Sequence, residues 1–395
     1  MPYPRLNEQR PSEAVLTAVA REQRVSADSH MAEPHDLFVQ RLPQALRDRA
    51  PQFPDRTGSR AYGRAGGWDP YERLKDQAYD QISAEVLYPT LGTAAWVTGD
   101  PALDAACCRA YNDWMIDFCS VAPHRFWGLA MLAPWDIDGA VLELERCRHA
   151  GLRGALVGLV PPDNLLYGNP HYDRLWAACQ DMGMSVNMHI GGGPGRLGFS
   201  PLKRSGIMPD GAAGHKWDCM KALGNMISGG VFDRFPKLQV VFAEAGVGWM
   251  PFFAQEMDYY QVTYGMPGSS GPHEGTGVMR PPSEYIYNQV YGVFISDTVG
   301  CKALPEVGLD TFMWCNDYPH GACIWPGATN FIAQDLGHLT VEQRAKVLAG
   351  TAARLYNNGE LPPLPDPPGA VEGIDTWNSE HWGGTLPPTL VAAPA

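Results

Sequence analysis

No Cys-x-x-Cys pair occurs in this 395-residue chain, and its nine cysteines are scattered apart from the adjacent Cys107 and Cys108. An odd, unpatterned set of that kind reads as reduced thiols, which excludes a disulfide frame and a zinc finger. Positive charge is scarce: 30 Lys+Arg against 43 Asp+Glu give a formal net charge of -13. That balance argues against nucleic acid and against an anionic membrane surface as partners. No apolar run approaches the length of a membrane span. The first residues, Met-Pro-Tyr-Pro-Arg, lack the apolar core of a secretory signal. A cytoplasmic enzyme acting on a small molecule is the expectation. No internal repeat of fixed period is present.

What is there is an alternating body. Hydrophobic residues make up 45% of the chain, enough for a sizeable core. Short β-branched or apolar runs alternate with longer helical patterns, which is the signature of a parallel sheet with crossover helices. The candidate strands are Val25–Asp28, Glu85–Tyr88, Trp127–Leu132, Gly154–Val157, Ser185–His189, Gln239–Ala243, Val290–Ile295 and Thr311–Cys315. Eight such strands are the number that closes a (β/α)8 TIM barrel. Helical patterns cover Pro101–Val121, Ile137–Ala150, Asp173–Met182 and Trp217–Ser228, and Thr340–Tyr356 reads as a last helix with Thr340 as N-cap. The α/β fold expected is therefore that barrel over residues 24–360, with an N-terminal extension over 1–23. The Pro-rich tail over 361–395 carries Trp377 and Trp382 and is expected to wrap the body or a neighbouring subunit, so a homodimer or higher homo-oligomer is expected. Two Gly/Pro-rich stretches, Gly191–Gly214 and Gly265–Pro282, read as loop insertions at the mouth.

Residues with metal-ligand chemistry fall where the strands run out. Asp28 and His30 are two apart, so both side chains project to one face. His189 ends an apolar strand and is followed by Gly191-Gly192-Gly193, whose bare backbone permits close approach to a ligand. Glu244 and Asp317 end apolar runs, where a carboxylate is costly to bury unless it is paired or metal-bound. A salt bridge to a barrel arginine is the other explanation for Glu244. Pro319 turns the chain and presents His320 to the same mouth. His215, before the helical pattern near Trp217, reads as a ligand, a supporting group or a helix cap. Arg196 could clamp a substrate carboxylate or be a solvated loop residue. Trp68, Trp96, Trp127 and Trp135 could line a substrate site or simply pack in the core. In a parallel barrel all C-terminal strand ends meet at one mouth, so Asp28, His30, His189, Glu244, Asp317 and His320 are expected to converge on one metal-dependent centre.

These residues also carry a resemblance. Asp28-Ser-His-Met-Ala-Glu33-Pro34, the stretch Gly229 to Trp249, Met313-Trp-Cys-Asn-Asp317-Tyr-Pro-His320 and Gly350-Thr-Ala-Ala-Arg-Leu-Tyr356 resemble the amidohydrolase-related (amidohydrolase-2) proteins. These include the aminocarboxymuconate-semialdehyde decarboxylase group. The resemblance implies a metal at the barrel mouth held by Asp28, His30, His189 and Asp317. Two departures stand out: the first pair is Asp-x-His, and Glu244 occupies the place of the decarboxylases' catalytic histidine. No lysine ends a strand to serve as a carbamylated bridge.

Three carboxylates and four histidines, counting His215, exceed what one tetrahedral zinc needs. Together with the Asp-x-His opening of a non-haem di-iron branch of the family, they favour two metal ions, iron first and manganese or zinc otherwise, with O2 as co-substrate. The expected activity is a monooxygenase hydroxylating a small, largely apolar substrate. The alternative is a mononuclear metal-dependent hydrolase or decarboxylase of a carboxylated substrate, with Glu244, His320 or His215 moving protons. A barrel acting only as a non-catalytic subunit is a third possibility that the nearly complete ligand set opposes.

Overall fold

The structure, a computed structural model, describes residues 11–53, 63–192, 209–264 and 278–366; of residues 209–213 and 264 only the backbone is described. Eight strands follow one another in space as they do in sequence. They are β1 (Arg24–His30), β2 (Ile82–Tyr88), β3 (Phe126–Met131), β4 (Gly154–Gly158), β5 (Ser185–His189), β6 (Val240–Ala243), β7 (Val290–Phe294) and β8 (Phe312–Trp314). Every neighbouring pair from β1 to β8 is parallel. The ring is closed just past β8: Asn316 N–H donates to Ser26 Oγ at 3.0 Å and Asp317 N–H to the Asp28 carbonyl at 3.1 Å. His30 N–H adds a bond to the Tyr318 carbonyl at 2.6 Å.

The strands are buried on both faces, as a barrel wrapped by helices requires. The helices form where caps and apolar spacing allow. Asp100 caps Pro101–Ser120 through Ala102 and Leu103 N–H, and Asp136 caps Ile137–His149 through Gly139 N–H. Thr340 and Gln343 form a reciprocal capping box.

Two local expectations need correcting. The helix expected from Trp217 begins at Pro209, so His215 lies inside it and is not its cap. The helix expected over Thr340–Tyr356 is interrupted by a π segment, Lys346–Gly350, a known device for shifting side-chain phase. The N-terminal extension contains a helix, Glu13–Val19, whose end the Arg24 guanidinium ties down by donating to the Val19 carbonyl at 2.9 Å. The tail is non-helical over 361–366; Gln23 donates to the Pro362 carbonyl, and Arg125 donates to that of Pro363 at 3.4 Å. Both donors precede strands, so this stretch crosses the end of the barrel opposite the mouth. Trp377 and Trp382 lie outside the described residues, as do most of the two mouth insertions. Among the described residues no helix is long and apolar enough to cross a membrane.

Candidate metal centre at the barrel mouth

β1 is not a plain strand. Its register against β2 shifts between Ser26 and Ser29, and such irregularities re-aim side chains near functional sites. The Ser26 and Ser29 hydroxyls both reach Asn316 Oδ1, at 2.9 and 3.1 Å, and Ser29 also donates to Glu85 Oε1 at 3.1 Å. Glu85 in turn accepts from Arg73 Nε at 2.6 Å and Gln77 at 2.8 Å. Arg73 spends another N–H on the His30 carbonyl, at 2.8 Å, and lays its guanidinium over the Tyr318 ring. The result is a fully buried polar scaffold that fixes Asp28, His30 and Asp317 from behind.

The ligand-type atoms then converge. His30 Nε2 lies 3.4 Å from Asp28 Oδ1, 3.5 Å from Asp317 Oδ1 and 2.9 Å from His189 Nε2. His189 Nε2 lies 3.5 Å from Asp28 Oδ2 and 3.3 Å from Glu244 Oε2. His320 Nδ1 is 3.2 Å from Asp317 Oδ1, and its ring stacks on His30 with centroids 3.6 Å apart. Two overlapping groups could each hold an ion: Asp28, His30 and His189; and His30, Glu244, Asp317 and His320.

Each imidazole has its other nitrogen anchored. Nδ1 of His30 is 2.9 Å from the Pro89 carbonyl and Nδ1 of His189 is 2.7 Å from the Ile190 carbonyl. Donation there leaves the Nε2 lone pairs facing the carboxylates, as in metal-binding histidines. Thr90 Oγ1 meets His320 Nε2 at 2.8 Å. Glu33 holds the Thr90 turn by accepting from the N–H groups of Thr90, Leu91 and Gly92 at 2.9, 2.9 and 3.1 Å.

The site's electrostatics suit a bound cation. Both oxygens of Asp28 and of Asp317 are buried with no hydrogen-bond donor. Two unpaired buried carboxylates would cost several kcal/mol apiece without positive charge between them. Burial, and then Asp28, push the Asp317 carboxyl well above its ordinary range. Burial and the neighbouring His320 and His189 push His30 well below its usual value, so it is neutral. Burial also disfavours charge on His189, but Asp28 and Glu244 outweigh it and raise that imidazole to about 9. Burial and Asp317 raise Glu244 to about 7 against the pull of His189 and His320. Glu244 and Asp317 both have left-handed backbone, φ 53° and 58°, which costs non-glycine residues on the order of 1–3 kcal/mol each and recurs at functional sites. Lys216 Nζ steadies the first turn by donating to the Glu244 carbonyl at 3.2 Å. Asp297 steadies the next residues by accepting from Val247 and Gly248 N–H, each at 2.7 Å.

The six strand-end residues expected to converge do so. His215 belongs to neither ligand group. It lies beside the turn after His189, where its Cε1 is 3.8 Å from the position a Cβ on Gly191 would take. Trp68 is half-buried in a turn whose Gly67 carbonyl accepts from Ala32 N–H, two residues past His30. Trp127 is buried under Arg153 and packs toward Tyr356, in the core. Arg196 lies outside the described residues. Arg73, Glu85, Thr90 and Lys216 were missed, because polar residues in interiors carry no periodic signal. Glu33 stands inside the Asp28–Pro34 motif, three residues after His30, and that position is its only signal in the sequence.

Known proteins share this arrangement of strands. The sequence profile of the Amidohydro_2 family, described as amidohydrolase, matches residues 25–357. A 2-amino-3-carboxymuconate-6-semialdehyde decarboxylase from Dictyostelium discoideum is 31% identical over 259 residues, 64% of this chain and 67% of that one. A dihydroxybenzoic acid decarboxylase from Polaromonas, solved with bound manganese and the inhibitor 2-nitroresorcinol, superposes with a TM-score of 0.61 at 20% identity, covering 86% of this chain and 98% of that one. A 5-carboxyvanillate decarboxylase from Novosphingobium aromaticivorans, also with manganese, gives a TM-score of 0.65 at 18% identity over 85% and 97% of the two chains.

Proposed function

This chain belongs to the Amidohydro_2 amidohydrolase family, a metal-dependent enzyme of the amidohydrolase superfamily, and we propose that it is a single-metal, non-oxidative decarboxylase of a carboxylated small molecule. The observation that carries this reading is the shared nitrogen. Both ligand groups contain His30, and its Nδ1 is turned to the Pro89 carbonyl, leaving Nε2 for the mouth. One imidazole nitrogen has one lone pair, so the two groups describe one ion rather than two. The donor set of carboxylate oxygen and imidazole nitrogen suits manganese, zinc or iron alike. Asp28, His30, His189 and Asp317 would hold the ion.

This reading replaces the expectation of two irons and O2: it divides the surplus of ligand-type residues that suggested it between the ligands of one ion and two flanking groups. The relatives support the alternative, since those named above are decarboxylases.

When bound, the divalent cation would supply Lewis-acid charge that orients a substrate carboxylate and an adjacent oxygen. The protein's own groups do the rest. Glu244 stands at the edge of the ligand set, 21% exposed, next to His189. As the C–C bond to the carboxylate breaks, its electron pair stays on the carbon, CO2 departs, and the Glu244 carboxyl gives that carbon its proton. Water reaching the partly open side chain restores the proton. Thr90, bonded to His320 Nε2, keeps the opposite nitrogen of that ring turned to Asp317. The substrate class is an aromatic or conjugated acid with an oxygen substituent beside the carboxyl group.

The test is a panel of such acids, beginning with 2,6-dihydroxybenzoate and 5-carboxyvanillate, incubated under argon with manganese-loaded protein. CO2 release without O2 is expected. Turnover that requires O2 would overturn the reading.

A further inference from the structure

The helix Trp249–Tyr264 packs one face on the barrel and leaves the other bare. Trp249, Met250 and Ala254 are buried, and Phe253 and Met257 pack against the core. On the opposite face stand Phe252, Gln255, Tyr259 and Val262, whose spacing of three, four and three residues makes one stripe. Among the helix's described side chains the exposed ones are these four with Tyr260 and Thr263, and all six are uncharged. A helix face that meets only water normally carries charge. Glu256 and Asp258 are half-buried, and Asp258 accepts from Ser283 N–H at 2.8 Å.

The bare face is large as well as apolar. Tyr260 stands edge-on to Tyr259, with ring centroids 5.8 Å apart. Gln261 donates to the Arg280 carbonyl at 3.4 Å, which brings Met279 alongside. Phe252, Tyr259, Tyr260, Val262 and Met279 are between 55% and 81% exposed. With Gln255 and Thr263 they offer on the order of 600–800 Å2, against the roughly 800 Å2 per partner of a standard interface.

The stripe is also self-complementary. Across a two-fold axis, two copies of one helix run antiparallel and present the same patch to each other. With the axis level with Met257, positions 252 and 262 oppose each other, and so do 255 and 259. Phe252 then meets Val262, and the Gln255 amide meets the Tyr259 hydroxyl. In a chain of net charge -13, such an uncharged seam is where a second copy meets least repulsion. We propose that this face is the interface of a homodimer, on which a second copy of the chain packs the same helix antiparallel in that register. Trp249 donates its Nε1–H to the Gly246 carbonyl at 3.1 Å, so the interface helix is tied to the turn two residues past Glu244.

Sedimentation equilibrium of the full chain is expected to find a species of twice the 43.2 kDa chain mass. Tyr259→Asp, at an exposed position, is expected to keep the circular-dichroism spectrum and to weaken self-association roughly thirtyfold or more. The register has its own readout, because all nine native cysteines are buried. Under mild oxidation the double variant Phe252→Cys, Val262→Cys is expected to form a covalent dimer. Phe252→Cys alone is not, since the two copies of position 252 lie roughly 15 Å apart in this register, beyond the reach of a disulfide. A wild type that stays monomeric would leave the face to residues 265–277 or to another protein, and overturns the proposal. A dimer that Tyr259→Asp leaves intact, or that the double variant does not bridge, overturns it as well.

Discussion

The two halves of the mouth are built on different principles. On the β1/β8 side, Asp28 and Asp317 are fully buried and His30 is 1% exposed, and the chain that carries them is tied into the Ser26–Ser29–Asn316–Glu85–Arg73 scaffold. On the rim, His189, His320 and Glu244 are 15%, 16% and 21% exposed. Those three are held by a few backbone or hydroxyl contacts. A cation needs fixed ligands, whereas a proton carrier needs access to solvent and substrate. On the proposed reading the rigid half supplies most of the fixed ligands, with His189 reaching in from the rim, and Glu244 on the open side has the access.

Substitutions on either side test that division. Arg73→Met should be the most damaging. It leaves Glu85 buried without its cation and frees the His30 carbonyl, a loss of about 3–5 kcal/mol in denaturant unfolding. A stability change under about 1 kcal/mol would mean the scaffold is not rigid in the sense argued. Glu244→Gln, on the open side, should fold and bind metal as the wild type does but lose a factor of about 10²–10⁴ in kcat. Unchanged turnover would remove Glu244 from proton transfer. Glu33→Gln spans the two halves, since it holds the turn that presents Thr90 to His320. Unfolding should show a loss of about 1–3 kcal/mol.

The smallest effect is electrostatic. Glu244 has a raised folded-state pKa of about 7, so in metal-free protein its contribution is fully present below the unfolded carboxyl value and is lost as pH rises through about 7. Thermal unfolding from pH 5 to 8 should therefore fall more steeply for the wild type than for Glu244→Gln. Parallel curves would place Glu244 in a more solvated setting than the structure gives it.

The same division explains what could be read from the sequence. The eight strands were legible because buried parallel strands are short apolar runs, and β5 was placed residue for residue at Ser185–His189. The residues of the mouth cluster were legible because a carboxylate or imidazole at the end of such a run, as at Glu244 and Asp317, contradicts its surroundings. The rigid scaffold was not. Arg73 and Glu85 find each other across the fold, and nothing in their spacing announces it. Nor did composition reveal that His30 offers the mouth a single nitrogen, which is why counting ligand-type residues suggested two ions.

Metal content per chain tests the central claim most directly. Elemental analysis of wild-type protein loaded with manganese and dialysed should find one ion per chain, and Asp317→Asn should lose it. Two ions per chain in the wild type would contradict a centre organised around one shared His30 nitrogen.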